Sequence, residues 1–154
     1  MNMPAIGSDR IDIWAAFMRV SQAVLAAIEA DLKAAGFPPL GWYDALLELR
    51  RVAPEGLRQF ELQDRMLLAQ YNMSRLVDRL VRSGFARRQR CPEDGRGQVI
   101  HLTEKGRALI DGMWPAYRAA IEKHFSSRLD DTQADALSEV LDSLRPVGSR
   151  IPTE

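Results

Sequence analysis

The chain has 154 residues and weighs 17.4 kDa, a length that suits one domain with a core of its own, and it is read as a single domain over 1–154. Apolar residues make up 46% and charged residues 27%, close to globular averages, which argues against disorder, collagen-like repeats and low-complexity architecture. The formal net charge of zero conceals an asymmetry: residues 65–107 hold ten basic and four acidic side chains, a surplus of six, and the rest of the chain carries the opposite excess.

Apolar residues at helical spacing (Ile11, Trp14, Phe17, Met18, Val24, Leu25, Ile28, Leu32) predict one long helix over 9–35, with Ser8 or Asp9 as N-cap and Gly36 as its stop. After Phe37-Pro38-Pro39 a second helix is expected over 41–52, ended by Pro54-Glu55-Gly56. A short third helix over 59–67, a turn near Leu68 and Ala69, and a fourth helix over 70–83 closed by Gly84 follow, the order of a helix-turn-helix. Residues 85–91 and 98–102 read as two strands around Pro92-Glu93-Asp94-Gly95-Arg96-Gly97, a turn-forming run that suits a hairpin tip. Thr103 is placed to cap a fifth helix running to about Phe125 and bent at Pro115, and Asp130 or Asp131 a sixth running to about Leu144. The expected fold is mainly α with a small β-hairpin. A winged helix-turn-helix over 41–103 is flanked by long helices over 9–36 and 104–145, too apolar for so small a core and therefore read as dimerisation helices.

On a helical wheel the fourth helix gathers Met73, Leu76, Val77, Leu80 and Val81 on one side, and Tyr71, Arg75, Asp78, Arg79 and Arg82 on the other. With Gln70, Asn72 and Ser74 near its start, this helix has the chemistry that major-groove reading requires: arginine pairs bidentately with guanine, and short polar side chains reach base edges or phosphates. Asp78 would be repelled by phosphate, and its spacing of three and four suggests that it orients Arg75, Arg79 or Arg82. Arg87, Arg88, Arg90 and Arg96 fall within ten residues of hairpin, where a wing laid over a minor groove would place cations in its negative potential. Arg96 stands at the tip, and Asp94 is able to direct it and hold the turn. Trp14, Trp42 and Tyr43, with Arg50 as a carboxylate partner, make a candidate ligand-binding set on the first two helices, although aromatic residues at helical spacing serve equally as core or subunit interface.

Four segments together resemble the MarR-type winged-helix transcriptional regulators: Leu46-Leu47-Glu48-Leu49-Arg50; Leu76-Val77-Asp78-Arg79-Leu80 with Ser83-Gly84-Phe85; Cys91 through Arg96; and Leu102-Thr103-Glu104-Lys105-Gly106. The single cysteine fits a cytoplasmic protein best. The resemblance implies a homodimer joined by its first and last helices, with a fourth helix in the major groove of double-stranded DNA and an Asp-x-Arg wing tip matched by Asp94 and Arg96. It implies a repressor, released from a pseudo-palindromic operator when a small aromatic or phenolic effector binds between the dimerisation and DNA-binding parts. Ala69 and the pair Gln59-Phe60 stand where the family commonly opens the fourth and third helices with polar residues, losing side-chain caps worth about 1 kcal/mol each and leaving the helix starts free to shift.

The chain offers little chemistry of other kinds. One cysteine, Cys91, excludes an internal disulfide or a Cys-x-x-Cys motif and is expected to be inert, and His101 and His124 lack metal-ligand spacing. No phosphate loop, nucleophile elbow or His-Glu-x-x-His is present, so neither an enzyme nor a cofactor is expected. No run of residues approaches the roughly 18 consecutive apolar positions of a membrane span. From the residues alone a winged-helix protein-interaction module and a small ligand-binding dimer remain open beside the DNA-binding regulator.

Overall fold

A computed structural model describes residues 5–68, 72–91 and 97–148. In chain order it contains α1 (Arg10–Ala34), α2 (Leu40–Val52), β1 (Leu57–Arg58), α3 (Gln59–Arg65), α4 (Met73–Arg82), β2 (Ala86–Arg90), β3 (Gln98–Leu102), α5 (Glu104–His124), a single 3-10 turn (Ser126–Arg128) and α6 (Asp131–Ser143). The expected mainly helical, winged architecture is present, with one correction. The wing is a three-stranded antiparallel sheet in the order β1-β3-β2 rather than a lone hairpin, because Leu57 and Arg58 pair with Ile100 and Val99. Two residues are too few to show any periodicity in sequence.

Local chemistry sets the helix limits. Asp9 caps α1 by accepting the Ile11 N–H at 3.0 Å, and the helix ends where Gly36 takes φ +85°, with Phe37 N–H bonded back to Leu32 O and Gly36 N–H to Lys33 O. Gly84, at φ +82°, ends α4 in the same way: Phe85 N–H returns to Leu80 O and Gly84 N–H to Val81 O. α4 starts three residues later than the apolar pattern suggested, at Met73, because Asn72 is the residue whose side chain caps it, accepting Arg75 N–H at 3.2 Å. α3 stops at Arg65, short of Leu67, and opens with the Glu61 carboxylate accepting Arg58 N–H at 2.7 Å. α5 runs unbroken through Pro115, and Asp130 and Gln133 cap α6 reciprocally.

The core lies where α2, α3, α4, the sheet and the middle of α5 meet, with Leu46, Leu49, Leu62, Val77, Leu80, Ile100, Ile110 and Met113 fully buried. The C-terminal half of α1 joins it through Ile28 and Leu32, and Asp31 pins that half to α5 by accepting from His124 Nε2 at 2.8 Å and Lys123 Nζ at 3.1 Å. Those two partners hold the Asp31 carboxyl below its ordinary range. Much of the rest of α1 and of α6 remains uncovered: Ile11, Trp14, Phe17 and Val20 on one, Val140, Leu141 and Leu144 at or beside the other, are exposed. By length and mean hydropathy, 1.5 over its most apolar window, α1 meets the requirement for a membrane span, which a count of uninterrupted apolar residues misses because Arg19 and Glu29 break the run.

Candidate nucleic-acid interface

The recognition surface starts from the two-sidedness of α4. Met73, Leu76, Val77 and Leu80 are buried, which leaves Ser74, Arg75, Arg79 and Arg82 on the opposite, exposed side. Arg75, Arg79 and Arg82 follow one another at four and three residues, so their guanidinium groups line a single stripe along the helix. A Thr103–Gly106 clasp fixes the helix's far end. Thr103 Oγ1 donates to Gly84 O at 2.6 Å, Lys105 Nζ donates to Ser83 O at 2.8 Å and lies 4.9 Å above the Phe85 ring, and Thr103 also caps α5 through Gly106 N–H. Gly106 is obligatory there, since a Cβ would come within 2.1 Å of the Phe85 carbonyl oxygen.

The wing leans on this helix through charge. Arg88 on β2 forms an ion pair with Asp78 on α4, which corrects the expectation that Asp78 orients the arginines of its own helix. Arg88 is thereby held against the protein, while Arg87 donates to Gln89 Oε1 across one strand position. β2 and β3 pair from Ala86–Leu102 to Arg90–Gln98, and Cys91 N–H to Gly97 O carries the hairpin one step further. Gln70 and Tyr71, and the wing-tip residues Asp94 and Arg96, lie outside the described residues. Asn72, expected to touch DNA, has its side-chain oxygen engaged in capping α4.

The four residues of the candidate ligand set do not converge within one chain. Trp14 is exposed and pairs with Phe17, whereas Trp42 meets Phe85 edge-on at 5.9 Å. Tyr43, the next residue, points about 100° away, stacking on Trp114 of α5 at 6.4 Å and meeting Tyr117 edge-on at 5.2 Å. Arg50 is already paired, its Nη1 lying 2.9 Å from Asp111 Oδ1 of α5. Sequence reasoning missed Asp111, Trp114 and Tyr117, although the last two sit three apart on one helix face, a spacing that signals a shared surface. Two open pockets lie elsewhere among the described residues. One, of about 350 Å³, is lined by Trp114, Pro115, Arg118, Ala119 and Glu122. The other, of about 320 Å³, lies at the outer face of the wing beside Cys91 and His101. Both histidines are hydrogen-bonded, His101 to Pro54 O at 3.2 Å and His124 to Asp31.

A short helix carrying a solvent-facing arginine stripe, set behind another helix and followed by a basic antiparallel wing, defines a winged helix-turn-helix. Comparison with known proteins agrees. Residues 35–97 match the model of the MarR family. The chain is 32% identical over 124 residues to the HTH-type transcriptional regulator YkoM of Bacillus subtilis, covering 80% of this chain and 78% of that one. Among solved structures it is similar to Sco3205, a MarR family transcriptional regulator from Streptomyces coelicolor determined in complex with DNA, at 25% identity and a TM-score of 0.75 over 91% of this chain and 94% of that one. A MarR family regulator from Rhodococcus sp. RHA1 superposes with a TM-score of 0.72 at 28% identity, over 90% and 96% of the two chains. The chain belongs to the MarR family, a family of transcriptional regulators and not of enzymes.

Proposed function

We propose that the protein is a cytoplasmic, sequence-specific repressor that binds double-stranded DNA as a homodimer and is released by a small aromatic or phenolic effector. The observation that carries the DNA-binding part is the exposed stripe of Arg75, Arg79 and Arg82 on a helix whose other face is buried. α4 enters the major groove, Ser74 and the arginines reach bases and phosphates, and the wing, with Arg88 and the tip residues Asp94 and Arg96, follows the neighbouring backbone. Gln70, Tyr71 and Asn72 complete the contact at the start of the helix.

The exposed apolar residues of α1 and α6 supply the surface by which two copies associate, since large apolar side chains left uncovered on two helices favour burial against a second copy. In this arrangement 9–36 and 104–145 are the dimerisation part, 41–103 the DNA-binding part, and two α4 helices about 34 Å apart read a pseudo-palindrome. The effector works by binding better to a dimer whose reading heads are splayed, and it weakens DNA binding only by that difference in affinity. Trp14, Trp42, Tyr43 and Arg50 are the candidate effector contacts; they do not converge within one chain, so the second copy is required to bring them to one site. Arg50 must leave Asp111 to receive an effector carboxylate.

A mobility shift on DNA upstream of the protein's own gene, at about 150 mM salt with excess competitor, tests the reading, because specific binding survives where purely electrostatic binding is lost. The expected result is a discrete competitor-resistant band. A smear that disappears with salt on this and every other promoter fragment contradicts it.

A further inference from the structure

Asp44 is a buried carboxyl group on α2, 6% exposed, on the side facing the segment that follows α3. Burial of a carboxyl is unfavourable unless its oxygens are hydrogen-bonded. Here Oδ2 accepts the Leu68 N–H at 2.8 Å. The donor lies past the end of α3, where neither helix nor strand supplies an acceptor, and a backbone N–H group in that position needs a partner from elsewhere. Leu67 contributes little anchoring of its own, because its residue is 74% exposed. One turn along α2, the buried Glu48 lies 3.7 Å from Arg51 and also feels the charge of Arg65, the last residue of α3. On the opposite side, the charge of Asp44 reaches the Tyr117 phenol, part of the aromatic cluster that joins α2 to α5.

We propose that Asp44 is the positioning residue of the recognition turn: by holding the Leu68 amide to α2 it fixes where α4 begins and how Ser74, Arg75 and Arg79 are presented. The proposal rests on the reading that α4 enters the groove. Asp44 touches no DNA in it. It works through the backbone at Leu68, only four residues before the Asn72 cap.

The test compares Asp44→Ala and Asp44→Asn with the wild type. The carboxamide keeps an acceptor oxygen at the same reach, and alanine keeps none. Amide hydrogen exchange is read without DNA at Leu67, Leu68 and Asn72–Arg75 against the core amides of β3, and affinity is then measured on operator and on non-operator DNA at one salt concentration. Loss of a buried bond of this kind predicts turn amides exchanging about tenfold faster in Asp44→Ala, with the β3 amides unchanged. Operator affinity should fall about tenfold, non-operator affinity should hold within about threefold, and Asp44→Asn should restore most of both turn protection and affinity. Turn amides that exchange alike in all three proteins, or operator affinity untouched by Asp44→Ala, would overturn the proposal. Should the alanine variant fail to fold, the wild type decides: a Leu68 amide that exchanges as fast as an unstructured one overturns it, and a protected one supports it. A protein that binds no operator yet loses turn protection in Asp44→Ala refutes the groove reading and leaves the anchoring of the turn standing.

Discussion

Arg88 of the wing and Asp78 of α4 form an ion pair, so the two parts that the proposed function brings to DNA together are fastened to each other in the free protein. The pair is partly exposed, and a pair of that kind contributes roughly 0.2–1 kcal/mol to stability, too little to hold the fold but enough to set an angle. Asp78→Ala should therefore leave the melting temperature nearly unchanged. It should raise affinity for non-operator DNA by removing a repelled carboxylate, and lower the ratio of operator to non-operator affinity. In a double-mutant cycle with Arg88→Ala the two effects on that ratio should be less than additive, since either change alone unfastens the wing. Strict additivity would contradict a coupled pair.

Gly106 packs closely against the Phe85 backbone and the Leu102 side chain. Gly106→Ala places a methyl group 2.1 Å from the Phe85 carbonyl oxygen and 2.8 Å from Leu102 Cδ1, and backbone cannot yield as a flexible side chain would. A loss of about 2 kcal/mol or more in urea unfolding is expected. Thr103→Ala removes the α5 cap and the bond to Gly84 O, and should cost about 1 kcal/mol. Equal stability of Gly106→Ala and wild type would contradict this packing.

Acid titration should separate two kinds of carboxyl group. His124 and Lys123 hold Asp31 below its ordinary value of 3.8, so its contribution is present above that pH and is lost as pH falls through the folded value. Burial moves Asp44 up from 3.8 and Glu48 up from 4.5, so their contribution is complete below those values and is lost as pH rises through the folded ones. Denaturation of the variants from pH 3 to 7 checks the signs. The deficit of Asp31→Asn against wild type should shrink towards acid, whereas Asp44→Asn should gain on wild type as pH rises.

Arg79 is exposed in the middle of the α4 stripe. Its replacement by alanine should weaken operator binding without changing the fold. If the guanidinium meets a phosphate, the slope of log affinity against log salt should fall by about one, and if it meets a guanine edge the loss should concentrate at one operator position. Unchanged operator affinity at about 150 mM salt would remove Arg79 from the interface.

Much of this fold could be read from the chain because its signals are local. The apolar period places the long helices, and Gly36 and Gly84 end α1 and α4 where left-handed backbone is needed. The reading of α4 failed at its start because the apolar pattern continues past the point where Asn72 stops the helix, and capping rather than periodicity decides such a boundary. What escaped depends on partners distant in sequence. Asp78 has arginines within reach on its own helix but pairs with Arg88 across a bend, and Arg50 finds Asp111 sixty-one residues away. Trp42 and Tyr43 look like one aromatic site in the sequence, yet neighbours on a helix face different elements, Phe85 for the one and α5 for the other.

The most direct test of the central claim, that the α4 arginine stripe reads DNA sequence, is selection from a pool of random duplexes by the purified protein at about 150 mM salt, repeated with Arg75→Ala and Arg79→Ala. The prediction is a pseudo-palindromic motif whose half-sites are centred about one helical turn apart, with information lost symmetrically at defined positions in each variant. A wild-type pool with no enriched motif, or a motif identical in all three proteins, would contradict it.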